Sequence, residues 1–205
     1  MTAQPHLLTI MAHPDDAELW AGGTIARHIH DGGTATIAVP RTEPTRVSEA
    51  QAGARILQAD LLVLDDLSAD AISAAITTSH PDILITHNPD DIHPEHRQCA
   101  EYVLAAIPNS AINHGCPKRL YHCDGYNNLD RTGNPLNLPT RVDVTTHWET
   151  KMSALAAHSS QPIKDHFGPM AEILGHLHGL RSGCRYAEGF HALPILGTLP
   201  QAQAL

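Results

Sequence analysis

Short apolar runs alternate with longer stretches of mixed polarity along the first half of the chain. Four of these runs are mostly apolar or β-branched and too short for helices, which predicts buried strands. They cover Leu7–Met11, Thr34–Val39, Leu61–Leu64 and Asp82–Thr86. The stretches that follow them predict helices at Glu18–His30, Arg46–Ala59, Ala69–Ser79 and Pro94–Ile107. This βα repetition predicts an α/β fold of three layers, with a mostly parallel sheet between helices on both faces.

The second half has a weaker pattern. Strands are expected at Arg119–Cys123 and, late in the chain or at a sheet edge, at Tyr186–His191. Helices are expected at His147–His158 and Pro169–Leu180. The segment Gly125–Pro139 is rich in Asn, Gly and Pro and predicts a long loop near the functional site. Because no repeat, low-complexity tract or linker is found, we expect one domain over residues 1–205.

Open parallel sheets bind ligands at the carboxyl ends of their strands, close to the point where the strand order reverses. The chain places its densest groups of histidines and carboxylates directly after the first and the fourth predicted strands. These groups are His13–Glu18 and His87–His96. We therefore expect the two segments to form one site.

The first segment begins with His13, Pro14, Asp15 and Asp16. Zinc binds imidazole nitrogen and carboxylate oxygen, and a turn can direct His13 and Asp16 at one point because they lie three positions apart. Asp15 is then free to accept a proton from a water activated by the metal. The alternative is that one Asp caps the following helix, which accounts for one carboxylate but not for the His and the second Asp.

The second segment contains Asp90, Asp91, His93, Glu95 and His96. His93 and His96 lie three positions apart, so both can face the same side of the first helical turn. One can bind metal while the other acts on substrate, and Glu95 can orient a histidine. Asp90 and Asp91 are candidate helix caps. The H-x-x-H spacing alone is a weak indication of a metal site. It becomes a strong one together with the first segment, because both segments follow neighbouring strands.

Together the segments supply His13, Asp16 and His96, the three protein ligands that leave one position of a catalytic zinc open. We expect one Zn²⁺ per chain, although the same donors also accept Fe²⁺ or Co²⁺. The sixteen histidines of the chain agree with a metal site. Most of the others are expected to be ordinary surface residues, above all His28, His30, His176 and His178.

Composition narrows the function further. The 205 residues carry a formal net charge of −9 without a Lys/Arg cluster, which argues against nucleic acid as a partner. No apolar stretch reaches the roughly 18 residues of a membrane span, and the first residues lack the basic region of a signal peptide. The four cysteines form no C-x-x-C pair, so a zinc ribbon is not expected. We expect a soluble cytoplasmic protein.

The segment Ala12–Thr24, AHPDDAELWAGGT, resembles the opening motif of the LmbE-like deacetylases, also called the PIG-L family. The segment His93–His96, HPEH, resembles the second motif of that family. Weaker similarities follow the family order at Arg46–Leu57, Lys151–Gln161 and Tyr186–Phe190. The forms HPDDAE and YAEGF are most similar to the branch that deacetylates N-acetylglucosaminyl-malate in bacillithiol synthesis.

This resemblance implies a Rossmann-like fold and a zinc-dependent hydrolase that removes acetyl from an N-acetylated amino sugar, a small-molecule substrate. By the matching positions, His13, Asp16 and His96 would bind the zinc. Members of the family often assemble as trimers or hexamers, so a homo-oligomer is a further expectation.

The resemblance also implies roles for four other residues. Asp15 would be the general base, and His93, held by Glu95, would protonate the leaving amine or stabilise the oxyanion. Arg46 would hold polar groups of the substrate; pairing with Glu49 on its own helix is the alternative. The chain departs from the family at Trp20, where Gly is more frequent, and at Glu95, which replaces the usual Asp.

Two other functions stay open on the sequence. One is an amidase or deacylase that acts on a thiol conjugate or on a non-sugar N-acyl metabolite. The other is a nucleotide-binding Rossmann module, for which Gly22 and Gly23 are the only hint. The G-x-G-x-x-G turn of such modules does not follow the first predicted strand, and the acidic residues found there would repel a pyrophosphate.

Overall fold

The computed structural model describes residues 4–200, and within them seven strands form one mixed sheet. In chain order the strands are β1 (His6–Ile10), β2 (Thr34–Pro40), β3 (Asp60–Leu64), β4 (Ile83–Thr86), β5 (Arg119–Cys123), β6 (Thr140–Asp143) and β7 (Ala187–Leu193). Their spatial order is β3-β2-β1-β4-β5-β7-β6. The first five strands are parallel, and β7 runs antiparallel to both β5 and β6.

Six α-helices cover the two faces of the sheet in this part of the chain. They are α1 (Asp16–His30), α2 (Pro44–Leu57), α3 (Ala69–Ser79), α4 (Pro94–His114), α5 (Trp148–Ala156) and α6 (Gly168–Leu180). Helices α1, α2, α5 and α6 pack into one apolar cluster, and α3 and α4 pack into the other. None of the helices in residues 4–200 combines the length and the apolar character that crossing a membrane requires.

The apolar runs of the central strands arise because both of their faces are buried. Leu7 of β1 belongs to the cluster under α1, whereas the next residue, Leu8, belongs to the cluster under α3 and α4. Both side chains are almost fully buried. A strand covered by helices on both faces needs apolar residues at consecutive positions. The predicted α/β class and the mostly parallel sheet are therefore confirmed.

Two elements differ from the expected pattern. Helix α4 continues through Pro108 to His114, although the sequence predicts its end at Ile107, just before the proline that lacks an N–H. Strand β6 was not predicted, because its four residues TRVD show little apolar alternation. Its pairing with β7, from Thr140 opposite Phe190 to Asp143 opposite Ala187, supplies the long-range hydrogen bonds that define it.

The surface assignment of the four histidines is wrong for one of them. His178 of α6 is buried, and its Nε2 lies 2.6 Å from Oδ2 of Asp124. His30 and His176 are exposed and His28 is half-buried. The buried face of α6 contains His178 because Asp124, which follows β5, provides a polar partner inside the protein.

The strand order reverses between β1 and β4. The helices that follow these strands, α1 and α4, lie on opposite faces of the sheet. At this point Oγ1 of Thr86, the last residue of β4, donates a hydrogen bond to the carbonyl oxygen of Ile10, the last residue of β1. The chain then leaves β1 toward α1 and leaves β4 toward α4. The two polar segments singled out by the sequence therefore meet in the crevice where such sheets bind ligands.

Candidate metal centre

His13, Asp16 and His96 converge at the carboxyl ends of β1 and β4. Oδ2 of Asp16 lies 3.0 Å from Nδ1 of His13 and 3.4 Å from Nε2 of His96, and the two nitrogens are 3.3 Å apart. Asp16 opens α1 and His96 lies in the first turn of α4, and both are buried. His13 remains 19% exposed, so solvent reaches the cluster from its side. The structure thus brings together the three predicted ligands.

Outer carboxylates fix the tautomers of the two histidines. Oε2 of Glu95 lies 2.5 Å from Nε2 of His13, and Oδ2 of Asp91 lies 3.1 Å from Nδ1 of His96. Because a carboxylate accepts hydrogen bonds, each of these ring nitrogens carries a hydrogen in the neutral imidazole. The lone pairs of the other two nitrogens then face each other and the Asp16 carboxylate.

This donor set fits a divalent cation. Two nitrogen lone pairs and a carboxylate oxygen at one point repel one another unless a positive charge lies between them. Tetrahedral zinc with bonds of about 2.1 Å places its ligands about 3.4 Å apart, which is close to the edges of 3.0, 3.3 and 3.4 Å found here. His13, Asp16 and His96 are accordingly candidate ligands.

Electrostatics at the cluster agree with a site for positive charge. Burial would raise the pKa of Asp16, but His96, His87 and His13 outweigh it and hold that pKa well below its usual range. Burial likewise opposes the charged form of His96, yet Asp16 and then Asp91 raise its pKa to about 10. A cation bound by these residues would take the place of the proton that they otherwise share.

His87 is a member of the centre that the sequence did not single out. It is fully buried, and its Nε2 lies 3.0 Å from the backbone nitrogen of Ala12 and 3.2 Å from Oδ2 of Asp16. Its ring stacks on His96, with centroids 3.9 Å apart and planes 13° apart. His87 therefore packs against both Asp16 and His96 on the buried side of the cluster. Its place as the first residue after β4 was the available signal.

Asp91 also has a role beyond the expected helix cap. Its Oδ1 accepts the backbone N–H of His93 at 2.7 Å while its Oδ2 holds His96, and the residue is fully buried. Asp90 is exposed. The capping alternative fails for Asp15, which occupies the N-cap position of α1 without a side-chain capping hydrogen bond. Asp15 is thus not used as a helix cap, and Asp91 both holds the backbone at the start of α4 and orients His96.

Asp15 forms an ion pair with Arg46 of α2. Its Oδ1 lies 2.7 Å from Nη2 of Arg46, and the side chains are 7% and 20% exposed. Burial and then the neighbouring Asp16 raise the pKa of Asp15, while Arg46 opposes this rise. Arg46 therefore lies at the site as expected, and its partner there is Asp15 rather than Glu49.

His93 and Glu95 are arranged differently from the expectation. The Glu95 carboxylate contacts Nε2 of His13, whereas the hydrogen bond between Glu95 and His93 runs from the backbone N–H of Glu95 to Nδ1 of His93, at 3.3 Å. A side chain one methylene longer than the usual Asp can span the distance to His13. Burial, and then His96 and His13, lower the pKa of His93, which favours a neutral ring with its hydrogen on Nε2.

Aromatic and buried polar side chains complete the wall of the centre. Tyr126, in the loop expected near the site, lies parallel to His96 with ring centroids 5.7 Å apart and planes 12° apart. Trp20 contacts Tyr126 edge to face. His158 is fully buried, with Nε2 3.5 Å from Oε1 of Glu18.

Two of the segments that resemble the family, Lys151–Gln161 and Tyr186–Phe190, contribute residues that contact α1. Nζ of Lys151 contacts Oε1 of Glu188 at 2.5 Å and donates to the carbonyl oxygen of Leu19 at 2.7 Å. Glu188 in turn accepts the backbone N–H groups of Gly23 and Thr24. This buried ion pair therefore binds main-chain groups in the middle of α1, the helix whose first residue is Asp16.

The chain is similar in sequence to known deacetylases. Residues 8–107 match the profile of a family described as PIG-L: GlcNAc-PI de-N-acetylase. Among curated proteins, the chain is 25% identical to a 1D-myo-inositol 2-acetamido-2-deoxy-alpha-D-glucopyranoside deacetylase from Actinosynnema mirum. That alignment covers 78% of this chain and 82% of the relative.

Solved structures share the whole fold. The 4-carboxy-2-hydroxymuconate hydratase from Pseudomonas putida superposes with a TM-score of 0.81 at 17% identity, covering 98% of this chain and 99% of that one. The N,N'-diacetylchitobiose deacetylase from Pyrococcus horikoshii superposes with a TM-score of 0.75 at 20% identity, covering 93% and 84%. At these identities the likeness establishes the fold alone.

Proposed function

Since this chain carries a domain of the PIG-L (LmbE-like) family, we propose that it is a zinc-dependent hydrolase that removes an acetyl group from an N-acetylated amino sugar or glycoside. The observation that carries the proposal is the convergence of His13 Nδ1, Asp16 Oδ2 and His96 Nε2, with both histidines oriented by carboxylates. The names of the curated relative and of the chitobiose deacetylase support the type of substrate.

His13, Asp16 and His96 would hold the cation. When bound, the cation supplies Lewis acidity toward the amide carbonyl and toward water. Asp91 and Glu95 keep the two imidazoles in the tautomer that a ligand requires. The protein thus prepares the donor set through carboxylates that do not themselves face it.

Asp15 is the proton acceptor of the proposal. Its side chain lies next to the ligand Asp16 without belonging to the triangle, and burial raises its pKa toward the range of a general base. It would take a proton from the attacking water and return it to the amine nitrogen as the C–N bond breaks. Acetate and a free amine are the products.

His93 is the hydrogen-bond donor of the proposal. Its ring lies 5.0 Å from that of His13 and 4.7 Å from that of His96, on the partly exposed side of the cluster. A neutral His93 presents its Nε2–H to the carbonyl oxygen, on which negative charge develops during attack. A donor of this kind contributes about 2.7–4 kcal/mol of barrier reduction in hydrolases.

The substrate is proposed at the level of an N-acetylated amino sugar. The curated relative is named for an inositol glycoside and not for a malate glycoside. The malate glycoside of bacillithiol synthesis therefore receives no specific support as the substrate. The Arg46 guanidinium, which is one-fifth exposed beside Asp15, is the proposed contact for polar groups of the sugar.

The test is a deacetylation screen on purified protein stripped of metal and reloaded with one equivalent of zinc. N-Acetylglucosaminides with inositol, malate and simple alkyl aglycones are compared, and acetate and free amine are quantified. We expect the two products in equal amounts, with activity lost in the stripped protein. The screen also includes thiol-conjugate amides and, because a hydratase shares the fold, the unsaturated tricarboxylate 4-carboxy-2-hydroxymuconate, whose hydration is followed by absorbance. Turnover of either of these in place of the sugars would refute the proposal.

A further inference from the structure

The indole of Trp20 lies against the metal centre from inside the protein. Its Nε1 is 3.3 Å from Oδ1 of Asp16, and both residues are 3% exposed. Asp16 and Trp20 are four positions apart on α1, so the helix places them on one face. An indole N–H can only donate, and the Asp16 carboxylate can only accept in its charged form.

The two oxygens of Asp16 have different surroundings. Oδ2 accepts the backbone N–H of His13 at 2.8 Å and faces the imidazoles of His13 and His96. For Oδ1, Trp20 Nε1 is the hydrogen-bond donor found among residues 4–200. A buried carboxylate oxygen without a donor is costly. Without the indole, Oδ1 would lose this donor, and the orientation of the carboxylate would depend on the contacts of Oδ2.

The indole is held in place by its aromatic neighbours. Trp20 meets Tyr126 edge to face, with centroids 5.4 Å apart and planes 84° apart. Tyr126 in turn lies parallel to His96. Trp20 therefore touches one candidate ligand through its N–H and is packed, through Tyr126, against another. A movement of the indole would disturb the positions of both.

We propose that Trp20 is a positioning residue of the metal centre: its N–H holds Oδ1 of Asp16, so that Oδ2 alone is presented to the cation. This inference rests on the proposed function, because it assumes that Asp16 is a ligand. Glycine, which is more frequent at this position in the family that the chain resembles, cannot supply such a donor. The strength of metal binding in this chain should therefore depend on the indole nitrogen.

The test compares two single substitutions in the metal-free protein. Trp20→Phe keeps an aromatic ring but removes the N–H. Trp148→Phe is the matched control, because Trp148 is equally buried and its Nε1 donates to Glu172, away from the centre, at 3.1 Å. Zinc affinity is measured by competition with a chromophoric chelator. We expect Trp20→Phe to bind zinc about 10- to 100-fold more weakly, as for other outer partners of metal ligands.

The outcomes separate this inference from the proposed function. If the wild-type protein binds no zinc, the proposed function fails. If wild type binds one equivalent and Trp20→Phe binds as tightly as Trp148→Phe, the role of Trp20 is refuted. The same conclusion follows if Trp20→Phe lowers only the thermal stability of the metal-free protein while its zinc affinity stays at the wild-type value.

A second measurement does not depend on the folding of Trp20→Phe. The chain has two tryptophans, so Trp20 is the sole tryptophan of Trp148→Phe, and excitation at its red edge selects it over the tyrosines. We expect its fluorescence to change on addition of zinc and to level off at one equivalent, because the partner of the indole N–H becomes a metal ligand. An emission unaffected by saturating zinc would refute the proposed contact.

Discussion

Replacement of Arg46 by Ala should change the pH dependence of the reaction and not only the binding of substrate. The Arg46 guanidinium lies 2.7 Å from Oδ1 of Asp15, and it opposes the rise in the pKa of Asp15 that burial and Asp16 cause. Without it, the pKa of Asp15 should rise further. A general base is active when deprotonated, so the rising acidic limb of kcat/KM should move to higher pH.

The size of the shift follows from the geometry of this pair. Two unit charges about 4 Å apart interact by about 4 kcal/mol at an effective dielectric constant of about 20. That energy corresponds to about 3 pH units, the upper end of the shifts of about 1–3 units found for an Asp beside an Arg. Because the Arg46 side chain is 20% exposed, solvent screens part of the interaction. We therefore expect a shift toward the lower end of that range, about 1 unit.

The assay is kcat/KM between about pH 4.5 and 8, with zinc content checked at each pH. Arg41→Ala is the control, because Arg41 pairs with Asp65 at 2.8 Å on the exposed surface and should leave the profile unchanged. If Arg46→Ala raises KM while the acidic limb stays at its wild-type position, Arg46 contacts only the substrate. The coupling of Arg46 to Asp15 would then be refuted.

Three further variants test the roles of single residues. Asp15→Asn should keep zinc and lose about 10²- to 10⁴-fold in kcat; near wild-type turnover with full metal content would exclude Asp15 as the base. His96→Ala should lose zinc, and full occupancy by metal analysis would exclude His96 as a ligand. Burial, then His191, lowers the pKa of His122 to about 3, below about 6.5 in the unfolded chain. Below about pH 6.5 the unfolded chain therefore binds a proton at His122 that the folded chain does not bind. The contribution of His122 to the free energy of unfolding falls by about 2 kcal/mol between pH 7 and pH 5. Urea unfolding at pH 7 and pH 5 should show a smaller fall in the free energy of unfolding for His122→Leu than for the wild type. An equal fall in the two proteins would contradict this prediction.

The position of the site could be predicted because it depends on local sequence and sheet topology. A polar segment directly after a buried parallel strand must lie at the carboxyl edge of the sheet, and the segments of His13 and His96 do so on adjacent strands. The position of Arg46 near the site was available only through resemblance to a family. The spacing of residues within α2 gives no sign of it.

The partners of the charged groups could not be predicted, because they join residues far apart in the chain. Glu95 was expected on His93, two positions away, but it reaches His13, which is 82 positions away. Trp20 is buried, and its contact with Asp16 through the indole N–H could not be predicted from its position in the sequence. Such choices depend on side-chain orientation and on which buried polar atom still needs a partner.

Asp15 and Asp16 are adjacent and chemically identical, yet their surroundings differ in the way that the two proposed roles require. Asp16 faces three imidazoles, which hold its pKa well below the usual range and keep it charged, as a metal ligand must be. Asp15 faces one guanidinium and the charge of Asp16, and its pKa is raised, as a proton carrier requires. Environments that push apart the pKa values of two neighbouring carboxyls mark separate roles in hydrolases. The order of the pair follows from the start of α1: the side chain of its first residue turns into the crevice between β1 and β4, and that of the residue before it turns toward α2.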